Sequence, residues 1–252
     1  MVDLTEKEQE AKKRMCLALD VPTVRDALDL SEELSDLVGI FKVGKQLHTA
    51  AGREGIPIIT NIHFDGGSTF LDLKYHDTPN TVYEASIEAA RQAVYMFNVH
   101  VAGGEAMCKR AIEGAIKGKL PGRDIERPKV LGVTVLTSLD DNDLEVQGLG
   151  ITYDDLVMRR TELAKKWGLD GVVCPASKAG ELEERFGSDF LYVTPGIKWA
   201  GKEGAGQKQL YTPDLAVRDC SNSILVIGSA ITKAEDRRAT AYAILQAMAK
   251  YL

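Results

Sequence analysis

The feature that most limits what this chain can fold into is an alternation. Eight short apolar runs, at residues 15–20, 39–44, 70–75, 95–100, 130–136, 171–174, 190–194 and 224–228, are separated by stretches with helical spacing of their hydrophobic residues, at 24–37, 45–54, 79–93, 105–117, 153–167, 177–187, 213–219 and 233–250. Runs this short and this apolar read as strands buried on both faces. Strands that alternate with helices imply a parallel sheet. Eight such units in 252 residues imply a closed α/β barrel, the (β/α)8 TIM fold, as a single domain over 1–252 with 1–14 as a short polar lead-in helix. A doubly wound open sheet is the other arrangement that fits. No Gly-x-Gly-x-x-Gly follows the first run, which counts against a dinucleotide-binding version of it. Ile56-Pro57-Ile58-Ile59 is strand-like and Asp65-Gly66-Gly67-Ser68 signals a turn, in a 55–69 segment with no clear role. Residues 118–128 read as a polar connection and 139–150 as a long acidic loop.

Charge and composition narrow the class of partner. The net charge of −6 provides no global field for nucleic acid or an anionic membrane. The charged start of the chain lacks the apolar core of a secretory signal, and no apolar run is long enough to span a bilayer, so a cytoplasmic protein is expected. Cys16, Cys108, Cys174 and Cys220 are far apart and form no Cys-x-x-Cys pair. Free buried thiols are the natural reading. His48, His63, His76 and His100 show no metal-ligand spacing, and His100 is read as structural.

Polar residues recur where the strands stop: Asp20, Lys42, Asp72, Lys74, Asp77 and Thr137. In α/β folds, chemistry is done at the carboxyl ends of the strands. Side chains alternate along a strand, so Asp72 and Lys74 share one face while Leu71 and Leu73 share the other. Thr78-Pro79 then marks a helix start, with Thr as N-cap and Pro at the first helical position. Lys42, Asp72, Lys74 and Asp77 sum to zero charge, and such an alternating array survives partial burial where a lone ion does not. Opposite unit charges about 4 Å apart gain roughly 4 kcal/mol at an effective dielectric near 20. Separately, Lys198, Lys202 and Lys208 lie among Gly201, Gly204 and Gly206 after the seventh strand, and Gly228-Ser229-Ala230 follows the eighth. In barrels these loops often hold phosphate, so a Gly-rich loop that closes on an anion is expected. No Gly-x-Ser-x-Gly, His-Glu-x-x-His or Walker pattern is present.

The run Asp72-Leu-Lys74-Tyr-His-Asp77-Thr-Pro-Asn-Thr81 closely resembles the signature of the orotidine 5′-monophosphate decarboxylase family. Leu17-Ala-Leu-Asp20, Phe41-Lys42-Val-Gly44, Val135-Leu-Thr137-Ser138 and Val193-Thr-Pro195-Gly-Ile-Lys198 recur in family order, so the likeness covers nearly the whole chain. The Asp-x-Lys-x-x-Asp core is shared with magnesium-dependent sugar-phosphate decarboxylases and aldolases; Lys42 discriminates, because those relatives place an acidic metal ligand there. The resemblance implies decarboxylation of orotidine monophosphate to uridine monophosphate, the last step of pyrimidine synthesis, with no metal and no organic cofactor. It implies Lys74 as the C6 proton donor, Asp72 beside the substrate carboxylate, and Lys42 and Asp77 completing the network. It further implies Asp20 as a ribose ligand, Thr137 and Ser138 at the pyrimidine, and Pro195, Lys198, Gln207, Gly228 and Ser229 around the base and phosphate. Thr78, Asn80 and Thr81 join the substrate set, and the homodimer of the family brings Asp77 and Thr78 into the neighbour's site. Two positions depart from the family, which usually has Arg at Lys198 and at Ser229. A lysine loses the bidentate fork and a serine loses the charge. A non-catalytic nucleotide-binding relative, suggested by Ser229, and a metal-assisted lyase are the alternatives.

Overall fold

The computed structural model describes residues 2–52, 62, 67–119, 126–199 and 211–252. Eight parallel strands close in sequence order, with the last beside the first. They are β1 Met15–Ala18, β2 Ile40–Gly44, β3 Ser68–Tyr75, β4 Met96–His100, β5 Lys129–Val133, β6 Gly171–Val173, β7 Leu191–Thr194 and β8 Ser223–Ile227. This is the expected barrel.

The closed sheet divides the apolar residues into two sets. Alternate residues of every strand point inward, so Cys16, Ala18, Ile40, Phe70, Met96, Leu131, Val133, Val173, Leu191, Val193, Ile224 and Val226 fill the barrel as one buried cluster. The intervening residues, such as Leu17, Phe41, Val43, Leu71, Phe97 and Val99, join the larger cluster beneath the helices. Both faces are therefore dry, which is why the strands read as continuous apolar runs in sequence.

The first helix, Glu6–Arg14, does more than lead in. Thr5 and Glu8 form a reciprocal capping box at its start. At its other end Arg14 is buried, and it ties the helix to the far end of the chain. Its Nε donates to the Ser223 carbonyl at 2.8 Å, and Nη2 donates to the Cys220 carbonyl at 2.7 Å and the Ser223 hydroxyl at 2.6 Å. The Gly39 N–H donates to the Lys12 carbonyl, so the same helix is anchored to the start of β2. At the same end of the barrel, Arg127 makes a two-pronged pair with Asp170, whose carboxylate also accepts from the Val130 N–H. All four cysteines are free and buried, as expected.

The structure corrects one assignment. The acidic 139–150 stretch contains a helix, Asp141–Val146, started by an Asp140–Asp143 capping box and fixed by one buried residue, Leu144. One apolar anchor is too weak a periodic signal to announce a helix in sequence. The expected last helix runs over Arg237–Ala249, capped by Asp236, and an additional short helix, Ser229–Thr232, directly follows β8. The Ile56–Ile59 run lies outside the described residues.

Gly171 opens β6 where a side chain has no room. A Cβ there would sit 2.3 Å from the backbone oxygen of Leu191 on β7. Gly171→Ala is expected to destabilise the fold by about 1–3 kcal/mol through forced strand separation. Urea unfolding should show a lower midpoint with an unchanged slope.

Candidate active site

The site is built on β3, the longest strand. Its pairing with β4 is regular up to Leu71↔Phe97, then resumes at Tyr75↔Val99. Four residue steps on β3 therefore match two on β4, and β3 bulges. Lys74 sits in the bulge at φ 51°, a left-handed conformation. A non-glycine residue there carries a cost of order 1–3 kcal/mol and persists only where its surroundings impose it.

Inside the bulge the charges meet. Lys74 Nζ donates to Asp72 Oδ1 at 2.6 Å. Lys42 Nζ, from the inner face of β2, is 3.4 Å from Asp72 Oδ2 and 3.0 Å from Asp20 Oδ1. The Lys42 side chain is only 9% exposed, Lys74 26% and Asp20 55%, so the array grades from core to solvent. Burial works to lower the Lys42 pKa, but the carboxylates of Asp72 and Asp20 outweigh it and hold the ammonium above the ordinary lysine value. Gly44 leaves space for this pair: a Cβ there would be 2.9 Å from Lys42 Nζ and 3.3 Å from Asp20 Oδ1.

Within one chain, Lys74, Asp72, Lys42 and Asp20 thus form a neutral array of four charges. Asp77 is exposed, and its carboxylate accepts from the Thr78 N–H at 2.6 Å. Thr78 occupies the N-cap position of helix Pro79–Arg91 without capping it through its side chain; its hydroxyl meets that of Thr81 at 3.0 Å instead. Asn80 and Thr81 are also exposed on this first turn.

A cavity of about 550 Å³ opens above the charges. Asp20, Lys42 and Asp72 line one side, and Pro195, Lys198, Gly228, Ser229 and Lys233 the other. A second hollow of about 470 Å³ shares Pro195 and Gly196 with it and reaches Thr137, Ser177 and Tyr211. The Lys198 N–H donates to the Tyr211 carbonyl at 3.1 Å. Ser138 is exposed next to Thr137 at the rim. Gln207, Lys202 and Lys208 lie outside the described residues. Among the described residues, no three His, Cys, Asp or Glu side chains converge as metal ligands.

One polar residue at the centre was missed. Asn98 of β4 is fully buried, donates from Nδ2 to Asp72 Oδ1 at 2.7 Å, and accepts the Lys74 N–H at 2.8 Å. The sequence does carry a signal for it. An Asn in phase with Met96 and His100, in the middle of an otherwise apolar strand, points into the barrel and must find partners there.

The comparisons with known proteins agree with this geometry. Residues 13–244 match the model of the Orotidine 5′-phosphate decarboxylase / HUMPS family. The chain belongs to this family. It is 42% identical over 236 residues to the orotidine 5′-phosphate decarboxylase of Geotalea daltonii, covering 94% of this chain and 96% of that one. It is 40% identical to that of Syntrophotalea carbinolica, covering 96% of this chain and 98% of the relative. The crystal structure of the Lactobacillus acidophilus decarboxylase superposes with a TM-score of 0.79 at 35% identity, over 93% of this chain and 98% of that one.

His100, at the end of β4, stacks against His76 with ring centroids 5.2 Å apart. Burial, then the nearby His76, Lys74, Lys45 and Arg160, push its pKa down from 6.5 to about 4. The unfolded chain therefore binds a proton that the folded one refuses between these two values, and folding stability falls as pH is lowered through that window. Urea unfolding across the window should show this fall, and His100→Gln should reduce it.

Proposed function

We infer that this chain converts orotidine 5′-phosphate to uridine 5′-phosphate and carbon dioxide. The observation that carries the reading is the chain of alternating charges from Lys74 through Asp72 to Lys42 on the inner face of strand ends, in a protein 42% identical to orotidine 5′-phosphate decarboxylases.

In the proposed step the bond from C6 to the carboxyl carbon breaks and leaves its electron pair on C6. The Lys74 ammonium gives a proton to C6, and the amine regains one from water. The negative charge thus moves from the carboxylate, beside Asp72, toward the Lys74 cation. Repulsion from Asp72 weakens and attraction to Lys74 strengthens along that path, so the array binds the transition state better than the substrate. The array is neutral before substrate arrives and its geometry is already fixed by its own ion pairs. The reading includes no metal and no organic cofactor.

Lys198, Gly228 and Ser229 would receive the phosphate, with Lys233 in the same cavity supplying the charge that Ser229 lacks. Gln207 would join them. Asp20 would take a ribose hydroxyl, and Thr137 and Ser138, with Pro195 nearby, would meet the pyrimidine. Asp77 and Thr78 would serve the neighbouring site of a homodimer, with Asn80 and Thr81 at the same edge. The exposure of all four within one chain supports that role. We place the enzyme in the cytoplasm; no helix among the described residues is long and apolar enough to cross a membrane.

The test is turnover of orotidine 5′-phosphate followed by ultraviolet absorbance. Lys74→Ala is expected to lower kcat by at least about 1000-fold, the scale of losing a proton donor together with a charge stabiliser, while the circular dichroism melt is kept. No turnover by folded parent protein would reject the reading. The shared site has its own test. Asp77→Asn and Lys74→Ala, each nearly inactive alone, should recover activity toward about one quarter of the parent's when mixed and allowed to exchange subunits, because mixed dimers hold one intact site.

A further inference from the structure

We propose that Asn98 is a positioning residue for the reaction, the group that fixes Lys74 and Asp72 relative to each other. The proposal rests on the decarboxylase reading for its kinetic consequence and on geometry for its substance.

The bulge in β3 takes the Lys74 N–H out of the regular ladder with β4. Asn98 Oδ1 accepts that N–H at 2.8 Å, so a side chain of β4 replaces the missing backbone partner. The other end of the same amide donates to Asp72 Oδ1 at 2.7 Å, the oxygen that also takes Lys74 Nζ at 2.6 Å. The partners fix which way the amide faces: a backbone N–H can only donate, and an ionised carboxylate can only accept. One uncharged side chain thereby holds the strained backbone of Lys74 and the carboxylate that aims its ammonium. Asn98 is fully buried beneath the array, so it acts through these two groups. Asn supplies a donor and an acceptor at this span with no added charge, leaving the balance of Asp20, Lys42, Asp72 and Lys74 intact.

The charged and titratable groups around it are Asp72 and Lys74 from β3, Lys42 from β2 and His100 further along β4, while β5 pairs Leu131 against it. An Asp at position 98 would face Asp72 at hydrogen-bond distance. Two carboxylates so close share a proton until the pH is high enough to remove it. With the proton retained, the pair still has a donor between its oxygens, as Asn98 provides. With it lost, the two repel.

The experiment compares Asn98→Ala and Asn98→Asp with the parent protein on orotidine 5′-phosphate, alongside thermal melts. Asn98→Ala should lower kcat by about 100-fold, the scale of misplacing a reacting group by about an ångström, with KM changed by less than about threefold. Asn98→Asp should show kcat recovering as pH is lowered, a trend absent from the parent. A folded Asn98→Ala with kcat within about threefold of the parent overturns the proposal, since displacement on this scale costs far more. If the alanine variant fails to fold, an Asn98→Asp profile parallel to the parent's overturns it. If the parent itself turns nothing over, the functional reading falls and the crystal structure of a variant still decides the geometric claim. Lys74 should leave its left-handed conformation and lose its contact with Asp72; retention of both without the amide overturns it.

Discussion

An ionised carboxylate inside a protein must be surrounded by donors or it will not stay ionised, and Asp72 is that carboxylate here. It lies on the inner face of a barrel filled below by Phe70, Met96, Leu131 and other apolar side chains. Two ammonium groups and one amide reach it, from β2, from its own strand and from β4. Those three strands are neighbours in the closed sheet, so the barrel's order is what brings the partners together. Removing any one of them would leave a buried charge short of a donor.

The barrel itself was legible because its cause is repetitive: eight apolar runs of strand length, each followed by helical periodicity, admit few arrangements. Lys42, Asp72 and Lys74 were legible for a related reason. Alternation along a strand assigns faces, and strand ends assign the mouth. The contact of Asp20 with Lys42 was not. Asp20 reaches Lys42 only through the β1–β2 register, in which Ala18 lies opposite Lys42. Asn98 escaped notice because it is neutral, and the bulge that gives it its partners depends on how two strands slip against each other. The short acidic helix at Asp141–Val146 was hidden by having a single buried residue.

The mouth and the floor of the barrel divide the work. The cavity, the charges and the exposed turn at Thr78–Thr81 lie where the strands end. The contacts of Arg14, of Lys12 with Gly39 and of Arg127 with Asp170 lie where strands begin. Position 229 illustrates the freedom this gives. Ser229 stands on the rim beside Lys233, and a change of charge there alters the lining of the cavity without touching the floor.

The Arg14 clasp has a consequence for how the molecule is made. Its partners Cys220 and Ser223 are more than 200 residues downstream. A chain emerging from the ribosome presents the first strand long before the last, and the edge of β1 that awaits β8 has no mate until β8 itself has been translated. Closure of the ring is then the most non-local event in folding and comes late. Nascent chains of this protein must wait with an open seam, and a truncation that spares every residue of the reactive centre but removes β8 would leave that seam permanently unzipped.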